Sequence, residues 1–235
     1  MTLWLSRVRL ARGPDLDALR PLLDPSFLHP GGMDRLEQGR RSDAHHRLIW
    51  TLFADTPDRT RDFLWRDEGG GRFTLLSRRP PAASRLFEPP ETRELAPVLE
   101  RGDRLAFTLR ANATRDRSRQ GRDRRVDIVM HALQAVPLEE RAKRRMDLAQ
   151  GAAAEWLVAQ GERAGFAPRD VIVSDYSTAA LPGHVGRRKG QPQYGILDLS
   201  GLLTVTDPLA FEAKLAQGFG RARGFGCGLM LIRRA

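Results

Sequence analysis

Residues 194–234 read YGILDLSGLLTVTDPLAFEAKLAQGFGRARGFGCGLMLIRR, and the rest of the chain is organised around them. Tyr194 to Thr206 has strand character, either as one long strand broken at Ser200-Gly201 or as a tight hairpin. Asp207 caps a helix with Pro208 at its first position, and Gly218 stops it. Gly218, Gly220, Gly224, Gly226 and Gly228 then flank Arg221 and Arg223, and Leu229 to Ile232 closes as a strand. Glycine lets a ligand approach the backbone, so successive free amides can cradle a phosphate, with two guanidiniums beside it. A loose helix-to-strand turn is the plain alternative. A dinucleotide fingerprint fits badly, because that motif runs from strand to helix with G-x-G-x-x-G spacing. Here the loop follows a helix and the third glycine comes one residue late. A phosphate-backbone ligand such as RNA suits the loop better than a nucleotide cofactor.

Working outward, Arg104 to Asn112 alternates apolar and polar residues and opens the second half of the chain. TRDRSRQGRDRR, Thr114 to Arg125, carries six arginines (Arg115, Arg117, Arg119, Arg122, Arg124 and Arg125) against two aspartates and no apolar residue. It reads as a flexible basic arm for a nucleic-acid backbone, with a solvated loop as the alternative. Val126 to Met130 returns as its partner strand. Leu138 to Ala164 reads as a long helix, with Ala142, Met146, Ala149, Ala153, Trp156 and Leu157 at three-to-four spacing. Arg141, Arg144 and Arg145 stand in its first half, where cations oppose the helix dipole and therefore point to a partner. Val171 to Tyr176 is a strand, and a loop carrying Arg187, Arg188 and Lys189 follows. The order strand, helix, strand, strand, helix, strand is the ferredoxin-like pattern.

The first half is a blurred copy of the second. Thr2 to Leu10 is a strand, Pro14 to Leu23 a short helix, and DPSFLHPGGMD a surface excursion in which His29 has no visible partner. Ser42 or Asp43 caps a helix running to Asp55, with Leu48, Ile49, Leu52 and Phe53 on its apolar side. His45 and His46 point roughly 100° apart on that helix and cannot share one metal ion. Asp43 lies three residues before His46, so its carboxylate would orient the imidazole and favour imidazolium. A purely structural histidine is the alternative. Asp62 to Arg66 and Arg72 to Ser77 form strands joined by EGGG, Arg85 to Phe87 a short piece, and Glu88 to Gly102 the linker. The expected fold is α+β, two tandem ferredoxin-like (RRM-like) βαββαβ domains at residues 1–97 and 98–235. Such sheets offer a platform for RNA.

The chain has 39 basic and 29 acidic residues among 235, a formal charge of +10, and only three lysines, Lys143, Lys189 and Lys214. This excess favours a polyanionic partner through long-range, salt-screened attraction. No apolar run approaches the roughly 20 residues of a membrane span, the start lacks signal-peptide character, and Cys227 is the lone cysteine. A cytoplasmic protein is the expectation, with neither a disulfide nor a cysteine metal cluster.

With these residues assembled, the chain resembles the CRISPR-associated repeat-processing endoribonucleases of type I-E systems, the CasE family. The resemblance rests on the first strand, on DAHHRLIWTLF followed by RDFLW, on LRAN at Leu109 to Asn112, on GLLTVTDP at Gly201 to Pro208, and on the terminal GFG…GFGCGL. It implies a cut in the CRISPR precursor transcript within each repeat hairpin, without metal or other cofactor. In that chemistry the ribose 2′-hydroxyl attacks the adjacent phosphate, leaving a 2′,3′-cyclic phosphate and a 5′-hydroxyl. The enzyme then stays on the hairpin of its mature guide RNA as a subunit of Cascade, so RNA and other Cascade subunits are the implied partners. By position His46 matches the family's helix histidine. Where the family often has a tyrosine three residues earlier, this chain has Asp43; the missing partner is then His45, a residue of the 187–189 loop, or nothing. Gly218, Gly220, Arg221, Arg223, Gly224 and Gly226 would hold phosphates near the scissile bond. Arg115 to Arg125, Arg141, Arg144, Arg145 and Arg187 to Lys189 would grip the stem. A non-catalytic scaffold that holds guide RNA is the rival reading, and a protein-interaction module the third.

Overall fold

A computed structural model describes residues 2–13, 34–56, 58–119, 122–181 and 192–235. The helix expected at Pro14–Leu23, His29, and the basic residues Arg187, Arg188 and Lys189 lie outside them. The chain divides into two compact units. The first is Met1–Ala96 with Ala179–Gln193 and Arg223–Gly226, and the second is Pro97–Thr178 with Tyr194–Ala222 and Cys227–Ala235. The break between Ala96 and Pro97 sits beside the expected boundary, but two later pieces of chain belong to the first unit.

In the first unit, the alternation of the opening residues becomes burial of Leu3, Ser6 and Val8 along β1 (Leu3–Arg9). It lies beside β3 (Arg72–Ser77), which is joined to β2 (Phe63–Gly69) through the expected glycine turn. The other edge corrects the expected linker, because Glu91–Leu95 forms β4, antiparallel to β1 with Leu3 opposite Leu95. Four of its five residues are exposed, so no apolar alternation marked it. It is held instead by the ladder and by Thr92 Oγ1 donating to Ser6 Oγ at 3.0 Å. The Arg85–Phe87 piece reduces to one bridge, Leu10 to Phe87. The sheet order is β2-β3-β1-β4.

Helix α1 (Arg35–Trp50) covers this sheet and starts earlier than Ser42. Asp34 is its cap, accepting from the Leu36 and Glu37 amides at 2.7 and 2.8 Å. The Glu37 carboxylate accepts from the Asp34 amide in return, completing a capping box. Ser42 and Asp43 are therefore interior helix residues. Gly39 has a packing reason, since a Cβ there would come 1.9 Å from the Ala180 carbonyl oxygen. Leu48, Ile49, Leu52 and Phe53 form the core with Phe63, Trp65, Phe73 and Leu75.

The second unit has the sheet order β10-β5-β9-β8, formed by β5 (Arg104–Ala111), β8 (Phe166–Ala180), β9 (Gln193–Val205) and β10 (Met230–Arg234). Residues 194–205 are thus part of one strand and not a hairpin, and Thr206 lies just past its end. Counted in chain order within each sheet, both units show the same split-βαβ arrangement, and the protein is an α+β pair of ferredoxin-like units. The basic arm is not flexible coil. It is a hairpin of β6 (Thr114–Arg119) and β7 (Arg122–Asp127), pairing Thr114 with Asp127 and Arg119 with Arg122. Instead of a strand to Met130, Asp127 caps the short helix α2 (Ile128–Leu133) through the Val129 and Met130 amides. Helix α3 (Arg141–Ala164) buries Ala149, Ala153, Trp156 and Leu157, whereas Ala142 and Met146 are exposed. Helix α4 (Pro208–Gln217) is capped by Asp207 and ends at Gly218, as its sequence requires. No helix among the described residues is long and apolar enough to cross a membrane.

Candidate active site

The two histidines of α1 leave the helix in different directions. His45 turns inward and is 3% exposed, edge-on to Phe73 at 4.9 Å between ring centres. Its Nδ1 lies 3.4 Å from the Asp67 carboxylate on β2, which Arg41 also reaches at 3.1 Å. Burial alone would push Asp67 up, but His45 and Arg41 hold it down at about 2, helped by the Gly69 amide. His45 is thus fastened into the core, with an acid holding it there.

His46 is half-buried and faces the other way, beside Trp50 at 5.9 Å and Phe63 at 6.2 Å between ring centres. Its Nε2 is buried and has no hydrogen-bond partner among the described residues. The short 3₁₀ turn Arg223–Phe225 lies in this same unit, against α1. A Cβ on Gly224 would meet Arg61 Nη1 at 3.0 Å, His46 Cε1 at 3.7 Å and His46 Nε2 at 3.9 Å. Glycine at 224 therefore leaves open a small space that the imidazole and a guanidinium both border. Arg61, just ahead of β2, went unnoticed in the sequence because only the tertiary fold brings it to residue 224.

The charges here reverse the expectation for His46. Burial lowers its pKa first and the Arg61 charge lowers it further; Asp43 raises it by less than these two lower it, and Arg47 lowers it slightly again. The Asp43 carboxylate instead pairs with Arg47 at 3.1 Å. The resting imidazole is neutral near pH 7, suited to accept a proton. Arg61 is exposed along its length, yet its guanidinium pKa is lowered by burial of the charged end and then by Arg223 nearby.

The glycine-rich loop is not a row of free amides. Gly218, Phe219, Arg221, Cys227 and Gly228 donate to the carbonyls of Lys214, Gly228, Asn112, Ala222 and Arg110 respectively. Gly218, Gly220 and Arg221 belong to the second unit, whereas Arg223, Gly224 and Gly226 belong to the first. Gly226 lies at φ +78°, where a side chain would be strained and would also press on Trp65.

Among the other sequence candidates, Arg115 and Arg144 are exposed. Arg125 pairs with Asp116 at 2.7 Å. Arg141 Nε donates to the Val136 carbonyl at 2.9 Å, which gives that helix-start cation an internal use. Arg145 lies over the Tyr176 ring at 5.1 Å. Arg117, Arg119, Arg122 and Arg124 are on the hairpin strands. Among the described residues no three His, Cys, Asp or Glu side chains gather as a metal-binding group.

Fold and site together define an α+β protein of paired ferredoxin-like units, the first of which brings one histidine and one arginine together over Gly224. A family model described as CRISPR associated protein matches residues 3–234, and the chain belongs to that family. The chain is similar in structure to the CRISPR endoribonuclease Cse3 bound to a 19-nucleotide RNA, at 20% identity and TM-score 0.66, covering 99% of this chain and 100% of that one. It is also similar to the CRISPR-associated protein Cas6e from Escherichia coli K-12, at 20% identity and TM-score 0.62, with 99% and 100% covered. A third likeness is to a chain of a CRISPR RNA-guided surveillance complex, at 18% identity and TM-score 0.58, with 99% and 100% covered. No curated protein sequence matches the chain.

Proposed function

We propose that this protein is an endoribonuclease that cuts CRISPR precursor RNA within the repeat hairpin, without a metal, and stays on the guide RNA within Cascade. The observation that supports this most is the buried, unpartnered Nε2 of His46 beside the space at Gly224. As a neutral base it takes the proton from the ribose 2′-hydroxyl while O2′ bonds to phosphorus. The bond from phosphorus to the 5′ oxygen breaks, and that oxygen is protonated from water. A 2′,3′-cyclic phosphate and a 5′-hydroxyl result. Positioned proton transfer of this kind is worth typically 10²–10⁴-fold. His45, held by Asp67, sets the roll of α1 and takes no part in the proton transfers. Arg223 holds a neighbouring phosphate, and Arg115, Arg144 and the hairpin arginines grip the stem through its backbone.

Labelled repeat RNA incubated with the protein in EDTA tests this directly. The parent protein is expected to release a fragment ending in a cyclic phosphate, and His46→Ala to lose at least about 10²-fold in single-turnover rate. Cleavage by His46→Ala at the parental rate would remove His46 from the chemistry. A second reading, a scaffold that binds guide RNA without cutting, is favoured by Asp43 standing where a phenol is often found and by its engagement with Arg47. A gel shift without cleavage would establish it.

A further inference from the structure

We propose that Arg61 is a second catalytic residue, whose guanidinium grips the non-bridging oxygens of the scissile phosphate while His46 moves the proton. The inference rests on the nuclease reading above and adds to it the group that stabilises charge.

Three observations carry it. The first is position: Arg61 Nη1 and His46 Nε2 both lie within 4 Å of one point above Gly224, at 3.0 and 3.9 Å. A phosphate oxygen accepting a charge-assisted hydrogen bond of about 2.8 Å from Arg61 would leave the adjoining ribose 2′-hydroxyl free to donate to His46 Nε2. The second is pairing. The neighbouring arginines are neutralised: Arg59 is 2.6 Å from Asp55, and Arg79 is 3.0 Å from Asp55 and 2.9 Å from Asp62. Asp55 and Asp62 thus pair with other arginines, and Arg61 forms no ion pair with an acidic side chain among the described residues. The third is its company. Its charge is close enough to the Arg223 charge for the two to repel, and its charged end is partly removed from water. Two like charges drawn this close mark a place that a dianionic transition state would relieve.

The chemistry balances with the guanidinium protonated throughout. The O2′–P bond forms, the P–O5′ bond breaks, and the negative charge that grows on the phosphoryl oxygens in the five-coordinate state is met by fixed N–H donors. Losing one such donor typically costs 10²–10³ in rate. Lysine would supply charge but not the planar fork.

The test compares the parent with Arg61→Gln and Arg61→Lys in single-turnover cleavage of repeat RNA in EDTA. A matching RNA with a 2′-deoxyribose at the cut site, which cannot react, measures binding and reports that each variant is folded. Arg61→Gln is expected to cut about 10²-fold more slowly, with binding of the deoxy RNA weakened only a few-fold. Arg61→Lys should fall between them. The charges facing His46 are Asp43 and Arg47 on its own helix and Arg61 from the segment before β2, with Arg223 beyond Arg61. Removing Arg61 should therefore move the acid limb of kcat/KM upward, while Arg61→Lys leaves it in place. Arg61→Gln cutting at the parental rate, or losing rate only as far as it loses binding, would overturn the proposal while leaving the nuclease standing. If the parent itself makes no cut, the nuclease reading fails and the role of Arg61 falls with it.

Discussion

Asp43 lies within one helical turn of both His46 and Arg47, and its carboxylate goes to the arginine. Its pull on the imidazole is therefore smaller than the combined effect of burial and Arg61, which is why His46 rests on the neutral side of its ordinary value. The sequence spacing made Asp43 and His46 neighbours correctly, but it had no means of weighing a cation arriving from residue 61. The sign of the pH dependence follows. A base must be deprotonated to act, so kcat/KM should rise with pH and level off, with its acid limb below pH 6.5 because this ratio reports the free enzyme. Asp43→Asn removes the charge that favours imidazolium, so its limb should move lower still. A rate–pH profile of parent and variant with repeat RNA checks both points. A limb above pH 6.5 in the parent, or a rise in Asp43→Asn, would contradict the electrostatic account of this site.

Helix α1 earns its place through its fastening more than through its apolar side. The paired histidines were legible as diverging residues, and the apolar positions Leu48, Ile49, Leu52 and Phe53 are buried as their spacing implied. The start of the helix was also legible in DRLE, Asp34 to Glu37, as an aspartate followed three residues later by a glutamate. The cap expected at Ser42 or Asp43 lies two turns too late, because Ser and Asp are common caps wherever they stand. What no local pattern carried was Asp67, on a strand beyond the next turn, binding His45 and Arg41 together. Strand β4 was hidden for a related reason, since an edge strand with polar residues on both sides has no period to read. The Asp67 cluster makes a stability prediction. Its carboxyl sits at about 2 in the folded protein against 3.8 for the free group, so the unfolded chain binds the proton more tightly. The stabilisation is complete above the unfolded value and is lost as pH falls through about 2. Its size is about 2 kcal/mol. Asp67→Asn should lower the urea midpoint at pH 7, and the gap to the parent should narrow steadily between pH 5 and 3. An equal gap at both ends of that range would mean that Asp67 contributes through packing and not through its charge.

Over the whole molecule, the repeated sheet order was the most legible feature, because strands and helices alternate in each half with capped ends such as Asp207 and Gly218. Net charge was legible too, but only as a sum. The structure separates arginines that hold the protein together from those left facing solvent. Arg110 is bound to Asp198 at 2.8 Å, Arg234 to Asp103, and Arg125 to Asp116, so each of these cations already has its counter-charge. Arg115 and Arg144 are exposed and carry no such partner among the described residues. An arginine that meets a phosphate releases a condensed counterion, and each release adds roughly 0.7–0.9 to the slope of log K against log salt. An arginine that must first leave a carboxylate adds less, since the acid is then exposed to the same phosphates. The double variant Arg115→Gln with Arg144→Gln should therefore flatten the salt dependence of repeat-RNA binding by about 1.5, whereas Arg125→Gln alone should change it by well under one. Filter binding at several salt concentrations with the 2′-deoxy RNA separates these terms from cleavage. If the double variant kept the parental slope, both residues would lie off the RNA path. If Arg125→Gln flattened the slope as much as the pair, the Arg125–Asp116 contact would have to open on binding, and the hairpin would be rearranged by its ligand instead of presenting a ready surface.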